Sequence, residues 1–265
     1  MAGLFSQQAH LYCKARPSYP HELFNFIASK TPCHNLAWDV GTGNGQAAKS
    51  LAKLYKDVIA TDTSPKQLEF AIAANVPNVR YVCTNPKMSI SKLENNVGKE
   101  SSVDLVTIAQ ALHWFDDPQN FYQLVKWVLK KPNGVIAAWC YTLPNINSSV
   151  DSVFNEYYNV GPYWEPTRKL VDEKYETIDF PFEPCHDNNG PFEFKIEKVM
   201  DLGSYFTYLT SLSAYQYAKE KGVELLTDDV IEKFTSAWNE DGKTHKTAIF
   251  PIYLRIGKVG STMLC

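Results

Sequence analysis

The stretch "LAWDVGTGNGQAAKSL", residues 36–51, places three glycines directly behind a short apolar run that contains Asp39. The run "LAWDV" is typical of a buried strand. The residues after the glycines carry Ala47, Leu51 and Leu54 on one helical face. A strand, a glycine-rich turn and a helix in this order predict a βα unit whose turn lets a ligand approach the backbone closely.

The same alternation continues downstream of the turn. Further strands are predicted at "DVIATD" (57–62), "VRYVCT" (79–84), "VDLVTIAQ" (103–110) and "GVIAAWCY" (134–141). Helices are predicted at "SPKQLEFAIAA" (64–74), with Ser64 as N-cap and Pro65 at the first helical position, and at "NFYQLVKWVLK" (120–130). This rhythm predicts a parallel sheet with helices on both faces.

The alternation stops near residue 142. Residues 142–200 are rich in proline and aromatic residues, with one helix near "SSVDSVFNEYY", and we interpret them as an inserted lid after strand five. Helical periodicity resumes at 203–222, and "KTAIFPIYLRIGKV" (246–259) is the last predicted strand. We therefore expect a single domain, 1–265, of four parts: an N-terminal flap and helix (1–35), a core (36–141), the lid (142–200) and a C-terminal helix with the last strands (201–265).

Composition excludes several classes of protein. The 265 residues are 45% hydrophobic and 21% charged, with a formal net charge of −3 and no run of basic residues, so no nucleic-acid partner is expected. The N-terminus lacks the features of a signal peptide and the apolar runs are strand-length, so no membrane association is expected. The six cysteines are scattered without a CxxC pair, which favours reduced thiols, a cytoplasmic location and no metal site. The oligomeric state stays open.

The spacing of the glycines discriminates between ligands. A dinucleotide fold requires G-x-G-x-x-G, but Gln46 occupies the third glycine's position, and no lysine follows as in a P-loop. G-x-G-x-G behind an acidic residue is instead typical of S-adenosylmethionine-dependent methyltransferases. Asp39 could then face the ammonium group of the methionine part. Asp62, 17 positions after Gly45 at the end of the next strand, could bind both ribose hydroxyls.

Other segments extend the resemblance over nearly the whole chain. "AQALHWFD" (109–116), "YCKARPSYP" (12–20), "GPYWEPTRKLVDEKYETIDFPFE" (161–183) and "SLSAYQYAKEKGVELL" (211–226) resemble the plant, embryo-abundant-like branch of small-molecule methyltransferases related to trans-aconitate methyltransferase. The glycine motif is common to a large superfamily, whereas "QALHWFD" together with "RPxYP" is more specific. The resemblance implies a Rossmann-like fold with a mostly parallel seven-stranded sheet and S-adenosylmethionine as cofactor.

The resemblance also implies a set of cofactor-binding residues. Gly41, Thr42 and Gly43 would line the methionine end, and Gln110 and Ala111 would contact it through backbone atoms. Asp62, with Thr63 beside it, would hold the ribose, and Asn85 would lie beside the adenine, serving through its amide oxygen or its backbone. Tyr12, Arg16 and Tyr19 would belong to an N-terminal flap that closes over the cofactor.

The acceptor side is less determined. A carboxylate acceptor is already ionised at neutral pH and needs no base, and the related trans-aconitate enzymes methylate a carboxyl group. An amine or phenol acceptor would need its proton removed or placed, and His113 is the candidate base. His113 could instead pack after strand four and bond a backbone carbonyl. Trp114, Tyr141 and Trp164 are candidates for the acceptor pocket. Trp114 could also flank the sulfonium or only anchor the next helix.

The leading hypothesis is therefore a methyltransferase for a small organic molecule, such as a carboxylic acid or a plant specialised metabolite. One alternative is N- or phenol O-methylation with His113 as base. Another is a member of the fold that binds the cofactor without transferring methyl. An NAD-dependent oxidoreductase is disfavoured by Gln46, and nucleic-acid methylation by the acidic charge balance.

Overall fold

The fold is built on one eight-stranded sheet. The computed structural model describes residues 18–85, 87–115, 118–159, 161–185 and 187–260. The strands are β1 (Leu36–Val40), β2 (Asp57–Asp62), β3 (Val79–Cys83), β4 (Leu105–Ala109), β5 (Val135–Tyr141), β6 (Glu183–Pro184), β7 (Phe192–Asp201) and β8 (His245–Lys258). Their order is β3-β2-β1-β4-β5-β8-β6, and β7 also pairs with β8.

The first five strands are parallel, as the sequence predicts. Strand β8 runs antiparallel to β5 and to β6. The strand order reverses at β1, which lies between β2 and β4. In open sheets of this type, ligands bind outside the carboxyl ends of the strands at such a reversal. The glycine turn after β1 is therefore at the expected place for a ligand.

Ten α-helices are described besides a 3₁₀ turn at Leu112–Trp114. They are α1 (His21–Lys30), α2 (Gln46–Leu51), α3 (Pro65–Ile72), α4 (Ile90–Asn96), α5 (Pro118–Val128), α6 (Ser148–Tyr158), α7 (Arg168–Asp172), α8 (Leu202–Thr210), α9 (Ser213–Glu220) and α10 (Asp228–Asn239). Helix α3 begins as predicted, because Ser64 accepts a hydrogen bond from the Gln67 N–H and Pro65 is the first helical residue. None of the described helices combines the length and apolar character needed to cross a bilayer.

The number of strands differs from the predicted seven. Strand β6 is only two residues long and gave no sequence signal. Strand β7 begins within the predicted lid, residues 142–200. Its sequence "FEFKIEKVMD" alternates, with Ile196 and Met200 buried and Glu193, Lys195 and Glu197 exposed. Helix α10 was also missed, although Thr227 caps it and Phe234 and Trp238 are buried four residues apart.

The chain divides into two compact units. The first, here called the sheet unit, comprises the described residues of 19–142, 169–194 and 252–260. All seven residues of β5 are buried at its centre. The second unit includes 143–168 and 195–251 and has its own aromatic core, in which Tyr205 lies 5.6 Å from Phe234 and 5.4 Å from Trp238 between ring centroids. Each unit thus buries aromatic or aliphatic side chains of its own.

Candidate functional site

The glycine turn after β1 is held against the neighbouring strands by its backbone. The Thr42 N–H donates to the Thr61 carbonyl of β2 over 3.0 Å. Gly41 has φ +64°, and a Cβ there would lie 2.8 Å from the Cβ of Ala111, so only glycine fits at this point. Gly43 has φ +55°, but a Cβ there would meet no atom of the described residues within 4 Å. With respect to this part of the chain, the backbone at Gly43 therefore borders open space.

Asp39 joins the turn to β4. Its carboxylate is fully buried and accepts hydrogen bonds from the Thr42 hydroxyl at 2.6 Å and the Thr107 hydroxyl at 2.7 Å. Burial raises the pKa of Asp39 to about 6, although the two hydroxyl donors oppose the rise. The structure thus assigns the carboxylate to two threonines, and a contact between Asp39 and a ligand's ammonium group stays a prediction.

Asp62 ends β2 beside the turn. Its two oxygens accept hydrogen bonds from the backbone N–H groups of Gly43 and Ser64, each at 2.8 Å. Burial raises the pKa of Asp62, and these backbone donors oppose the rise. A carboxylate offers about four acceptor positions and this group is only half-buried, so it can still accept from a hydroxyl donor. Thr63, the next residue, is exposed.

Asn85 lies just beyond β3, on the same edge of the sheet. Asp62 is in register with Cys83, and the Thr84 N–H donates to the Asp62 carbonyl at 2.9 Å. The Asn85 side chain is exposed and accepts a hydrogen bond from the Lys87 N–H at 2.9 Å. Asn85 is therefore near Asp62 along the sheet edge, and its contact with an adenine stays a prediction.

Gln110 extends the pairing of β4 with β5. Its side-chain amide donates to the Tyr141 carbonyl and accepts from the Tyr141 N–H, both at 3.0 Å, and its own N–H donates to the Trp139 carbonyl at 2.8 Å. The residue has φ +55°, a region that is unfavourable for residues other than glycine. The side chain thus replaces one rung of the ladder and fixes the backbone that leads to Ala111.

His113 lies in the 3₁₀ turn after β4 and is only 6% exposed. Its Nδ1 is 2.7 Å from the hydroxyl oxygen of Tyr175, a residue 62 positions further along the chain. The ring of Trp114 lies 4.9 Å from the imidazole. Sequence reasoning missed Tyr175, because nothing in its neighbourhood, which follows α7, marks it as a partner of His113.

Of the remaining predicted residues, two lie in the sheet unit, one lies in the second unit and two lie outside the described residues. Tyr19 packs edge-on against Trp139 at 5.4 Å and lies 6.3 Å from Tyr141, which is 3% exposed. Trp164 belongs to the second unit, where its Nε1 donates to the Tyr158 carbonyl at 3.1 Å. Tyr12 and Arg16 lie outside the described residues.

The structure thus assembles most of the predicted cofactor residues at one edge of the sheet. Asp39 and Asp62 lie in the last two residues of β1 and β2, and the glycine turn and Gln110 with Ala111 directly follow β1 and β4, so all are at the carboxyl ends of parallel strands. The open backbone at Gly43 and the acceptor capacity of Asp62 fit the methionine part and the ribose diol of S-adenosylmethionine. Within the described ranges, no group of three or more His, Cys, Asp or Glu residues is arranged to hold a metal ion.

Comparison with known proteins finds similarity to methyltransferases. The family model described as a methyltransferase domain matches residues 38–138. A candidate methyltransferase of Dictyostelium discoideum is 32% identical over 262 residues, which covers 96% of this chain and 94% of that protein. The methyltransferase pgmE of Aspergillus terreus is 28% identical over 202 residues, covering 66% and 59% of the two chains.

A solved structure shares the fold over most of its length. It is a candidate type II methyltransferase from Anaeromyxobacter dehalogenans, with a TM-score of 0.78 and 28% identity, covering 93% of this chain and 99% of that one. These relatives come from a slime mould, a fungus and a bacterium, so membership of the plant branch stays a prediction. The full-length similarity and the site geometry together show that the chain belongs to the class I S-adenosylmethionine-dependent methyltransferases.

Proposed function

We propose that this protein transfers the methyl group of S-adenosylmethionine to a small organic molecule, with a carboxylate as the favoured acceptor. The observation that carries the proposal is the Asp62 carboxylate, held by the backbone of Gly43 and Ser64 beside the open space at Gly43. When bound, the cofactor would supply a methyl group made electrophilic by its sulfonium. Asp62 would accept from both ribose hydroxyls, which orients that group.

The chain's other residues would position the cofactor. The proposed cofactor-binding residues are Tyr12, Arg16, Tyr19, Asp39, Gly41, Thr42, Gly43, Asp62, Thr63, Asn85, Gln110 and Ala111. For the fully buried Asp39, we propose that its carboxylate acts mainly by holding Thr42 and Thr107, and so the shape of the turn. A negative charge at this depth also favours a cation placed next to the turn.

A small acceptor is supported by the charge balance and by aromatic side chains. The net charge of −3 disfavours a polyanionic substrate. Trp114, Tyr141 and Trp164 are the proposed acceptor residues. The scattered cysteines support a cytoplasmic location.

The carboxylate class is supported by the state of His113. Its imidazole is 6% exposed and engaged with Tyr175, so it is poorly placed to exchange protons with solvent. A carboxylate oxygen can attack the methyl carbon while the carbon–sulfur bond breaks and its electron pair stays on sulfur, with no proton to remove. The second candidate, methylation of an amine or phenol, is favoured only by the position of His113 after β4.

The experiment that tests cofactor binding is calorimetric titration of S-adenosylmethionine and its demethylated product into wild-type protein and Asp62→Ala. We expect the substitution to weaken both ligands by roughly 100-fold, because two hydrogen bonds to a charged group are lost. Asp57→Ala is the matched control, since Asp57 is an exposed aspartate at the opposite end of the same strand. Urea unfolding of both variants separates loss of binding from loss of folding. Equal affinities for wild type and Asp62→Ala would contradict the proposed ribose contact.

A second assay tests the acceptor class. Purified protein is incubated with the cofactor and a panel of carboxylic acids, phenols and amines, and product masses are measured. Gain of one methyl on a carboxylic acid is the expected result. Tight cofactor binding with no methylated product from any class would favour the non-methylating alternative.

A further inference from the structure

Tyr175 is held in an unusual backbone conformation deep in the sheet unit. It is fully buried with φ +60°, and the preceding Lys174 has φ +59°. Two successive residues other than glycine in this left-handed region are unfavourable and persist only where their surroundings enforce them. Such a residue next to a candidate active site suggests a role in that site.

Two groups enforce this conformation. The Tyr175 N–H donates to the Leu170 carbonyl at 2.9 Å, which closes the turn after α7. The guanidinium of Arg255, from β8, donates to the Tyr175 carbonyl at 2.7 Å and lies 5.2 Å from the ring centroid of Phe180. Arg255 is in register with Ala138 of β5, and Ala138 with Ile108 of β4, two residues before Gln110. The support for Tyr175 is thus anchored in the strands that carry the site.

The hydroxyl group of Tyr175 contacts His113, the candidate site residue. Its oxygen is 2.7 Å from Nδ1 of His113. Burial raises the pKa of Tyr175 well above its usual range, so the phenol keeps its proton. Nδ1 is the only hydrogen-bond partner of this hydroxyl among the described residues, and a buried phenol proton without an acceptor is unfavourable, so the hydroxyl donates to Nδ1.

We infer that Tyr175 is a positioning residue that donates to Nδ1 of His113 and holds the imidazole neutral, with its own proton on Nε2. In this tautomer Nε2 donates a hydrogen bond and cannot remove a proton. His113 then orients an acceptor carboxylate and does not act as a base. The inference rests on the proposed function only where it concerns the acceptor, since the tautomer is a property of the protein alone.

The titratable groups around Tyr175 are consistent with a hydroxyl that donates its proton to Nδ1 of His113. The titratable groups that interact with Tyr175 are Cys140 from β5 and Tyr122 from α5, and Arg255 approaches its carbonyl from β8. Burial raises the pKa of Tyr122 as well, so this phenol also stays neutral. Neither of these two groups is a carboxylate that would compete with Nδ1 for the proton of the Tyr175 hydroxyl.

The first experiment reads the tautomer directly by ¹⁵N NMR of the ring nitrogens in the protein without ligand. In the wild type we expect a protonated Nε2 and an unprotonated Nδ1 at neutral pH. Tyr175→Phe should redistribute the proton between the two nitrogens. Tyr122→Phe is the matched control, because it removes another buried hydroxyl of the same core, one that bonds the Asp179 carbonyl, and it should leave the tautomer unchanged. A proton on Nδ1 in the wild type would overturn the inference, even if Tyr175→Phe did not fold.

The second experiment separates a donor from a base. His113→Gln can place an amide N–H near the position of Nε2 but cannot accept a proton as imidazole does. With a carboxylic acid acceptor, we expect His113→Gln to retain kcat/KM within about tenfold of wild type, while His113→Ala loses roughly 10- to 100-fold. Equal, severe losses in both variants, together with a wild-type rate that follows the ionisation of one group near neutral pH, would identify a base.

The two experiments also separate this inference from the proposed function. If no methyl transfer is found but the cofactor-free protein has the Nε2–H tautomer and loses it in Tyr175→Phe, the positioning role stands and the acceptor assignment fails. If methyl transfer is found and the tautomer is the opposite one, the proposed function stands and the positioning role fails.

Discussion

At the scale of single residues, the proposed cofactor site depends on the backbone of glycine residues, which have no side chain. Gly43 has φ +55° and borders open space, while its N–H holds one oxygen of Asp62. A methyl group added here would meet no atom of the described residues within 4 Å and would instead occupy the space proposed for the cofactor.

Gly43→Ala is therefore expected to affect binding more than folding. The left-handed φ should lower the free energy of unfolding by about 1 kcal/mol, and the added methyl should weaken S-adenosylmethionine at least tenfold, as measured by calorimetry. Gly222→Ala is the matched control: Gly222 has φ +75°, a Cβ there would also meet nothing within 4 Å, and the residue belongs to the second unit. It should lose the same stability and no affinity. Similar affinities for the two variants would place the cofactor elsewhere.

At the scale of secondary-structure elements, Asp39 connects β1, the glycine turn and β4. Its two hydrogen bonds reach Thr42, three residues on, and Thr107, 68 residues on. The connection places a carboxylate where water does not reach, which is why its pKa rises to about 6. The protonation of Asp39, which connects β1, the glycine turn and β4, should therefore change near pH 6.

The pH dependence of stability should report this carboxylate. The pKa of Asp39 is about 6 in the folded protein against 3.8 for the ordinary group, so the folded state binds the proton more tightly. Its contribution to stability is present below pH 4 and is lost as pH rises to about 6, by ~3 kcal/mol at most. Relative to wild type, Asp39→Asn should therefore become progressively more stable between pH 4 and 7, as measured by urea unfolding. A constant difference over that range would contradict the assignment.

At the scale of the whole molecule, the chain forms two compact units, and those proposed cofactor residues that the structure describes all belong to the sheet unit. A ligand that binds only folded protein stabilises what it binds by about 2.7 kcal/mol at 100 times its dissociation constant. Cofactor binding should therefore stabilise the sheet unit more than the second unit.

Amide hydrogen exchange with and without S-adenosylhomocysteine tests this distribution. We expect slower exchange at Gly43 and Ser64, whose N–H groups bond Asp62, and little change in α10 of the second unit. Equal protection in α10 would show that the two units open together, and protection confined to the second unit would contradict the proposed site.

Much of the sheet unit could be predicted from the sequence, because its signals are local. A strand, a glycine turn and a helix follow one another within residues 36–51, and Asp62 stands at the end of the next apolar run. Periodicity and turn chemistry act over a few residues, and they specify β1 to β5 and the edge where their carboxyl ends meet. The methyltransferase family follows from these same residues.

Other features were decided only by the tertiary structure, because they join residues that are far apart in the chain. The hydroxyl of Tyr175 reaches His113 across 62 positions, and Thr107 reaches Asp39 across 68. Burial and hydrogen-bond partners determine whether a histidine can act as donor or base, and neither can be inferred from the residues next to it in the sequence. The sequence by itself thus determined the fold of the sheet and the residues of the glycine turn, whereas the packing of distant segments decided the environment of His113.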